Sequence, residues 1–400
     1  MQVKKKSGSL KCPACGKKNI KVADHFKFRD FDGSLFNMEA DFGLCGNCGF
    51  VRVMVPFDDA QISDHYTHHS LYNSLSGIGV GGSTTEDIVR YKQYLSILDG
   101  LEKKSESLAD IGCSRGGFLK YLRREAGCEK KLTGIDVDIQ ALTSLKGEDI
   151  DVVQGSALSL NLDNDSLDLA FYNHILEHIL DIDGVLLEMV RVMSDGGYAL
   201  IEVPDATGYS EFRVHDFYWA GMKEHVNHFT PMALCSLLNR HGIEVMRVAR
   251  NKFPMKGDTH YPSLIVVARI RKNANVPPPC FEVNRGEGRW FSTYMGQERQ
   301  FAAKTRHNLE AFLEGRKNPV IWGIGLEFFN LLALDVLPIN PGTTLLDSNS
   351  AKQAQTISNC RILAPNNTLL REPMICAAPL SRQAIIEQAC AWGVNQIFCI

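Results

Sequence analysis

The sequence lacks the long apolar run that a membrane-spanning helix requires, because no uninterrupted stretch in its 400 residues approaches about 18 apolar positions. It also lacks an excess of either charge: 43 Lys and Arg face 46 Asp and Glu, for a formal net charge of -3. Such a chain has no general attraction to nucleic acid or to anionic lipid. The basic start "MQVKKKSGSLK" is not followed by an apolar segment, so we interpret it as a solvated tail and expect a cytoplasmic location.

Internal repeats and low-complexity tracts are also absent, and paired cysteines are few. Of the twelve cysteines, eight are scattered singly and four form the pairs Cys12/Cys15 and Cys45/Cys48 in "CPACG" and "CGNCG". Four thiolates in such turns are the tetrahedral set of a closed structural zinc site. The first alternative is two disulfides, which a reducing compartment disfavours. The second is a redox dithiol, which would need only one Cys-x-x-Cys motif and not two. We therefore predict structural Zn²⁺ held by these four cysteines.

Strand-like and helical runs alternate between about residues 85 and 270, which predicts a parallel sheet covered on both faces. The strands read "SLADIGC", "KLTGIDV", "DVVQGSA", "LDLAFYN" and "YALIEVPD". The run "HFTPMALCSLLNRHG" is predicted as a helix with Thr230 as N-cap, Pro231 at its first position and Gly242 past its end. Two further strands follow, and after the linker "KNANVPPPC" and a charged helical stretch a second α/β unit is predicted.

The first of these strands ends in a carboxylate beside a glycine-rich turn, "ADIGCSRGGF". A dinucleotide fingerprint would place three glycines here to hold a pyrophosphate. Gly112, Ser114 and Gly117 occupy those places, so the middle glycine is missing. Asp110 would repel a pyrophosphate and suits a positive amine, while Asp136 at the tip of the next strand can accept both ribose hydroxyls. A nucleoside with a cationic amino-acid tail fits both carboxylates, and that ligand is S-adenosylmethionine (SAM).

These motifs, followed in order by "DLAFYNHILEHILD" and "MSDGGYALIEVPD", resemble those of class I SAM-dependent methyltransferases over roughly residues 85–270. The resemblance implies a Rossmann-like α/β fold. A fold of this kind that no longer binds SAM is the alternative. The resemblance also implies which residues contact SAM. Asp136 would bind the ribose, Ser156 would face the adenine, and Asn173 and His174 would lie near the sulfonium. The methionine end would be lined by Asp110, Gly112, Ser114 and Gly116.

Candidate residues for proton transfer lie just before the predicted Thr230-capped helix, in "WAGMKEHVNHFT". His225 is the candidate base, because an imidazole titrates near neutral pH, and the adjacent Glu224 is placed to orient it. Packing at the helix entry is the alternative, and it is the preferred interpretation for His228. His178, in "ILEHIL", is interpreted as capping or packing the start of its own helix. Tyr66, in a polar segment predicted as a loop, is a candidate for contact with the acceptor.

The whole arrangement resembles the sugar C-methyltransferases. This implies that His225 removes a proton beside the ketone of a nucleotide-linked keto-deoxysugar, that Glu224 or a tyrosine supports the proton traffic, and that the enolate attacks the SAM methyl group. Met222 stands where that family usually has a tyrosine, and "FPMKGDTH" only faintly matches its glycine-rich run. A second glycine turn occurs in "WGIGLEFF", where Gly323 and Gly325 follow a predicted strand and Asp347 ends the next one. This turn either binds a nucleotide or only allows close packing between the strand and the following helix.

We therefore predict a zinc-binding domain over 1–60, a SAM-dependent methyltransferase domain over 61–270, a linker with helices over 271–316 and a C-terminal Rossmann-like α/β domain over 317–400. The predicted partners are SAM, Zn²⁺ and a small-molecule substrate of the nucleotide-sugar class, without nucleic acid or membrane. O- or N-methylation of a small metabolite or glycan is a second possibility, and a non-catalytic SAM-binding interaction protein is a third. The sequence does not indicate the oligomeric state.

Overall fold

The structure, a computed structural model, describes residues 10–69, 82–255, 259–272, 289–316, 318–337, 339–370 and 373–400. Most of the predicted linker "KNANVPPPC" and the centre of "FPMKGDTH" lie outside these ranges. Strands in the described residues form three sheets.

The first sheet surrounds the cysteine pairs and is antiparallel throughout. Its strands, in order across the sheet, are β1 (Leu10–Lys11), β2 (Lys18–Lys27), β3 (Glu39–Cys45), β4 (Val51–Met54) and β10 (Asn227–His228). β10 comes from a distant part of the chain and directly follows the "EHV" segment. It pairs with β4, and Val53 N–H also donates to Val226 O (2.9 Å). The cysteine-bearing sheet thus holds the backbone next to His225.

The second sheet is the predicted parallel sheet with two closing strands. Its order is β11-β12-β9-β8-β5-β6-β7, with β12 antiparallel to both of its neighbours. The strands are β5 (Ser107–Ile111), β6 (Lys131–Asp136), β7 (Asp151–Gln154), β8 (Leu167–Asn173), β9 (Met193–Pro204), β11 (Ile243–Pro254) and β12 (His260–Ile270). The strand order reverses at β5, and open α/β sheets bind their ligands at such a switch point.

The third sheet confirms a second α/β unit after residue 317. Its order is β15-β16-β14-β13-β17-β18, parallel except for the β15–β16 pair. The strands are β13 (Val320–Trp322), β14 (Thr344–Leu346), β15 (Thr356–Ile357), β16 (Cys360–Leu363), β17 (Met374–Cys376) and β18 (Ile397–Cys399). The short strands β15 and β16 were not predicted from the sequence.

Helices cover the faces of the second and third sheets. In the described residues they are α1 (Asp59–Asp64), α2 (Thr85–Leu98), α3 (Leu101–Lys104), α4 (Gly117–Arg124), α5 (Ile139–Leu142), α6 (Ile182–Val192), α7 (Pro231–Arg240), α8 (Trp290–Leu313), α9 (Leu326–Ala333), α10 (Ser350–Gln353) and α11 (Arg382–Ala391). The predicted start of α7 is confirmed, since Thr230 Oγ1 accepts the Ala233 N–H (3.1 Å).

The loop prediction around Tyr66 was wrong for residues 59–69, which form α1 and a following π-helical turn. Asp58 and Gln61 cap α1 reciprocally, so a polar sequence still begins a helix. The carboxylate of Asp59 then accepts the backbone N–H groups of Leu180 (2.7 Å) and Asp181 (2.8 Å). These bonds dock the helical segment onto the turn after β8.

The segment between β9 and β10 is fixed by helices from later in the chain. Tyr294 Oη on α8 accepts the Trp219 N–H (3.1 Å), and Trp290 on the same helix donates to Gly49 O (2.8 Å). Asn330 on α9 donates through Nδ2 to Phe217 O (3.2 Å). The approach to His225 is therefore built by elements of all three sheet units.

Candidate active site

A cavity of about 240 Å³ opens at the carboxyl ends of β5, β6 and β8. The residues predicted for SAM converge there, although they come from four separate sequence motifs. The lining includes Asp110, Gly112, Ser114, Asp136, Ser156, Asn173 and His174. Gly116 is not part of the lining.

The glycine turn between β5 and α4 depends on left-handed backbone conformations. Gly112 has φ 72° and Gly116 has φ 66°, angles that glycine adopts without steric cost. A Cβ on Gly112 would lie 2.1 Å from Ile175 Cδ1, and one on Gly116 would lie 2.3 Å from a Leu145 methyl group. Gly116 thus starts α4 and lets Leu145 pack closely, while Gly112, which lines the cavity, lets Ile175 approach its backbone.

Asp110 and Asp136 face the cavity from adjacent strands. Asp136 accepts the N–H groups of Ser114 (2.8 Å) and Asp138 (2.9 Å), which ties the tip of β6 to the glycine turn. Burial, and then the nearby Asp136 charge, raise the pKa of Asp110 to about 8, against a weak opposing bond from Asn173 Nδ2 (3.5 Å). Without a cation beside it Asp110 is therefore mostly protonated at neutral pH, and an ammonium group would favour its charged form.

His174 lies in a buried charge cluster beneath the cavity. Its Nδ1 is 2.8 Å from Glu177 Oε1 and 3.0 Å from Tyr261 Oη, and its Nε2 is 3.3 Å from Glu202 Oε2. Burial alone would lower the pKa of His174, but the two carboxylates raise it to about 9. Glu202 also accepts hydrogen bonds from Tyr94 Oη and from Ser263 Oγ (2.6 Å). His174 is thus a fixed cation, and no sequence motif indicated this cluster.

Tyr66 and His178 form one wall of the cavity, with His225 behind them. Tyr66 Oη lies 2.8 Å from His178 Nδ1, which is also 3.2 Å from the carbonyl oxygen of Glu224. The rings of His178 and His225 pack edge to face with centroids 4.7 Å apart. Burial, and then the neighbouring histidines, lower the pKa of His225 well below its usual value, so it stays neutral. Its Nδ1 has no hydrogen-bond partner among the described residues.

The interpretation of His178 as a helix cap was wrong, although its ring does pack against those of Tyr66 and His225. Asp181 caps α6 instead, since its Oδ1 accepts the Gly184 N–H (2.9 Å). The packing interpretation of His228 is consistent with its burial in β10 and its contact with Tyr209 Oη (3.1 Å). The structure shows no hydrogen bond between the side chains of Glu224 and His225. No contact therefore supports the prediction that Glu224 orients His225.

The four paired cysteines converge on one point in the first sheet. Their sulfur atoms lie within 4.8 Å of one another, and the Cys12–Cys48 and Cys15–Cys45 pairs are each 3.7 Å apart. A tetrahedral site with Zn–S bonds of about 2.3 Å requires sulfur separations of about 3.8 Å. The set therefore fits Zn²⁺, and the predicted clustering of the four thiols is present.

The second glycine turn, in the third sheet, is already occupied by protein groups. Asp347 Oδ2 accepts the Ile324 N–H (2.8 Å) and is 3.2 Å from Lys352 Nζ, which also donates to Ile324 O (2.6 Å). A side-chain cation thus fills the space above Asp347 where a nucleotide ribose would bind. The arrangement favours βα packing over a nucleotide cradle at Gly323 and Gly325.

Residues 86–248 match the family described as "Methyltransferase domain". Norajmaline N-methyltransferase of Rauvolfia serpentina is 25% identical over 151 residues, which cover 35% of this chain and 51% of that protein. Sterol 24-C-methyltransferase of Kluyveromyces lactis is 25% identical over 138 residues, covering 33% of this chain and 37% of that protein. The chain thus spans about half or less of the length of these relatives.

Among solved structures, a SAM-dependent methyltransferase of Methanosarcina mazei aligns with a TM-score of 0.35 at 19% identity, covering 42% of this chain and 94% of that chain. The family match identifies residues 86–248 as a methyltransferase domain, and the sheet order confirms the predicted Rossmann-like α/β fold. In the part of the chain that the structure describes, no helix combines the length and apolarity needed to cross a bilayer.

Proposed function

We propose that the protein is a SAM-dependent methyltransferase that methylates a carbon beside the ketone of a nucleotide-linked keto-deoxysugar. The observation that supports this most directly is the histidine pair at the cavity wall. A carbon next to a carbonyl must lose a proton before it can take a methyl group, and this needs a base within reach. His178 touches the cavity, and neutral His225 lies against its ring.

SAM, when bound, supplies an electrophilic methyl group. Asp110 is proposed to hold its amino group, Asp136 its ribose, and Ser156 to lie beside the adenine. His178 Nδ1 faces Tyr66 Oη and the carbonyl oxygen of Glu224, while its Nε2 lies 4.0 Å from Glu177 Oε1. We propose that this imidazole, which lines the cavity, takes up the acceptor's proton. We propose that His225, predicted as the base, shares this role from the second layer.

The charge of the cavity constrains how the acceptor enters. Besides the mostly protonated Asp110, four aspartates line the cavity, against the two cations Arg90 and His174. A diphosphate would be repelled by such a surface, so only the sugar end of the proposed acceptor enters and the nucleotide end stays outside.

A proton-exchange experiment tests this function. A panel of nucleotide-linked 4-keto-deoxysugars is incubated with protein in D₂O without SAM, and deuterium at carbon is followed by NMR. We expect exchange with one member of the panel and a loss of at least about 100-fold in His178→Asn and His225→Asn, since general bases typically contribute 10²–10⁴-fold. His68→Asn is the matched control, because His68 is exposed on the same turn as Tyr66.

Exchange that survives both substitutions would contradict the assigned base. Methyl transfer without carbon exchange would instead support O- or N-methylation. Similarity to an N-methyltransferase favours that second candidate, as does the neutral imidazole of His225, which can accept a proton from a hydroxyl group.

We further propose that Cys12, Cys15, Cys45 and Cys48 bind structural Zn²⁺. The sulfur separations and the soft thiolate donor set support this ion, and four protein ligands leave no open position for catalysis.

A further inference from the structure

Three side chains of the kinds that bind metal ions meet behind the cavity wall. Glu177 and His178 lie in the turn after β8, His225 lies just before β10, and one ligand atom of each is within 4.8 Å of the others. His178 lines the cavity, whereas Glu177 and His225 are buried. In the part of the chain that the structure describes, only this cluster and the four cysteines bring three or more such atoms together.

Two atoms of the cluster are buried and have no hydrogen-bond partner among the described residues. They are Glu177 Oε2 and His225 Nδ1. Buried polar atoms in folded proteins are rarely left without a partner, so two of them in one cluster need an explanation. A metal ion satisfies both atoms, because a carboxylate oxygen and a neutral imidazole nitrogen each offer it a lone pair.

The contacts around the cluster are those that orient metal ligands. His178 Nδ1 lies 3.2 Å from Glu224 O, and since a carbonyl oxygen only accepts, this contact places the ring proton on Nδ1 and the lone pair on Nε2. The hydroxyl oxygen of Tyr66, 2.8 Å away, can accept from the same N–H. Glu177 Oε1 is held 2.8 Å from His174 Nδ1. Metal-bound histidines commonly donate their other ring N–H to a carbonyl oxygen, and metal-bound carboxylates are themselves hydrogen-bonded.

The ligand set and the spacing indicate the kind of ion. Two imidazoles and one carboxylate suit a divalent transition-metal ion such as Zn²⁺ or Co²⁺, whereas Mg²⁺ and Ca²⁺ prefer oxygen ligands. Three atoms no more than 4.8 Å apart share a centre that is at most about 2.8 Å from each of them. Inward shifts of less than about 1 Å therefore give the usual bond lengths of about 2.0–2.2 Å.

We propose that Glu177, His178 and His225 bind one divalent transition-metal ion behind the cavity wall, at a site separate from the four cysteines. An ion at this site takes lone pairs of the two imidazoles that the proposed function uses to accept a proton. It therefore competes with proton transfer, and the protein with this ion bound is inhibited. The inhibition rests on the proposed function, whereas the ion site does not.

Metal counting in the full chain tests the site. The purified protein is titrated with Zn²⁺ by calorimetry, and bound zinc is counted by mass spectrometry after desalting. We expect wild type to bind one ion more than Glu177→Gln and His225→Asn, which should weaken that ion at least about 100-fold, since even outer-shell partners of a metal contribute about 10–100-fold. His68→Asn removes an exposed imidazole and should bind zinc as wild type does. Mg²⁺ should not compete.

The inhibition is measured by deuterium exchange into the ketosugar. With Zn²⁺ at ten times the dissociation constant of this site, exchange should be about tenfold slower, because about nine-tenths of the protein then holds the ion. A chelator too weak to remove cysteine-bound zinc should restore the rate, and Mg²⁺ at the same concentration should leave it unchanged.

The outcomes separate this inference from the proposed function. Equal zinc content in wild type and in the variants would overturn the ion site and leave the proposed function standing. An ion that binds at the cluster without slowing exchange would overturn the inhibition. An ion at the cluster in a protein that exchanges no ketosugar would support the site and contradict the proposed function. Melting curves verify that each variant is folded, and His178→Asn, at the cavity wall, tests the site if the two buried variants do not fold.

Discussion

Asp110→Asn is expected to weaken S-adenosylhomocysteine binding at least 100-fold and at the same time to raise thermal stability at pH 7. The loss follows because a buried ammonium group would no longer have a carboxylate partner, which typically costs about 3–5 kcal/mol. The gain follows because the pKa of Asp110 rises to about 8 in the folded protein, far above its ordinary value. Such a carboxyl group binds its proton more tightly in the folded protein than in the unfolded protein.

The direction of the pH effect is fixed by that difference. Between about pH 4 and pH 8 the folded state holds a proton on Asp110 that the unfolded state has released, so stability falls as the pH rises. The Asp110→Asn substitution removes this pH-dependent loss of stability, which amounts to a few kcal/mol (order of magnitude) at pH 7. Thermal unfolding of wild type and Asp110→Asn at pH 5, 7 and 8 measures it: the two melting temperatures should diverge with increasing pH.

Ligand binding should release the proton that Asp110 holds in the free protein. If an ammonium group pairs with ionised Asp110, wild type must release a proton on binding S-adenosylhomocysteine below pH 8, and the affinity should rise by up to about tenfold per pH unit between pH 6 and 8. Calorimetry in buffers of different ionisation enthalpy counts that proton. Affinity independent of pH in wild type would contradict the assignment of Asp110 to the amino group, whereas 5′-methylthioadenosine should show no such dependence.

Cys48→Ser is expected to release the proposed zinc ion, to unfold the first sheet and to abolish methyl transfer. Structural zinc contributes about 10–16 kcal/mol in small zinc-dependent peptides, so loss of one ligand has a large effect. The effect should reach the active site, because Thr230 Oγ1 donates to Cys48 O (2.6 Å) and β10 pairs with β4 beside His225.

Metal content by mass spectrometry and activity are measured together for this variant. Cys390→Ser, at an exposed cysteine far from the other four in sequence, should retain one zinc ion and full activity. Zinc-free protein that keeps wild-type activity and melting temperature would contradict both the metal and its coupling to the site.

The elements that the sequence predicted well are those whose signals are local. The glycine turn after β5, the cap at Thr230 and the alternating strands each depend on residues within one or two turns of chain. Even α1 had a local signal, the reciprocal cap of Asp58 and Gln61, which its polar composition concealed. The strand β16 (Cys360–Leu363) was missed because the charged side chain of Arg361 interrupts its short apolar run.

The residues that were missed depend on contacts between distant parts of the chain. His178 lines the cavity, and its contact with Tyr66, 112 positions away, could not be inferred from local sequence. Arg90 is positioned by Phe253 and Tyr261 on β11 and β12, so nothing in α2 alone distinguishes it from a surface cation. The charge of His174 likewise comes from Glu202, which lies in the next strand of the sheet.

The close contact between helix α9 and the segment around Phe217 restricts which amino-acid substitutions this chain can tolerate. A Cβ on Gly221 would lie 2.2 Å from Asn330 Oδ1, so the segment leading to His225 and helix α9 fit together with no spare room. Larger residues at 221 become tolerable only with a smaller residue at 330, and the two positions should covary among homologues. For the same reason, a polypeptide cut between residues 272 and 289 regains its full architecture only when the two fragments reassociate.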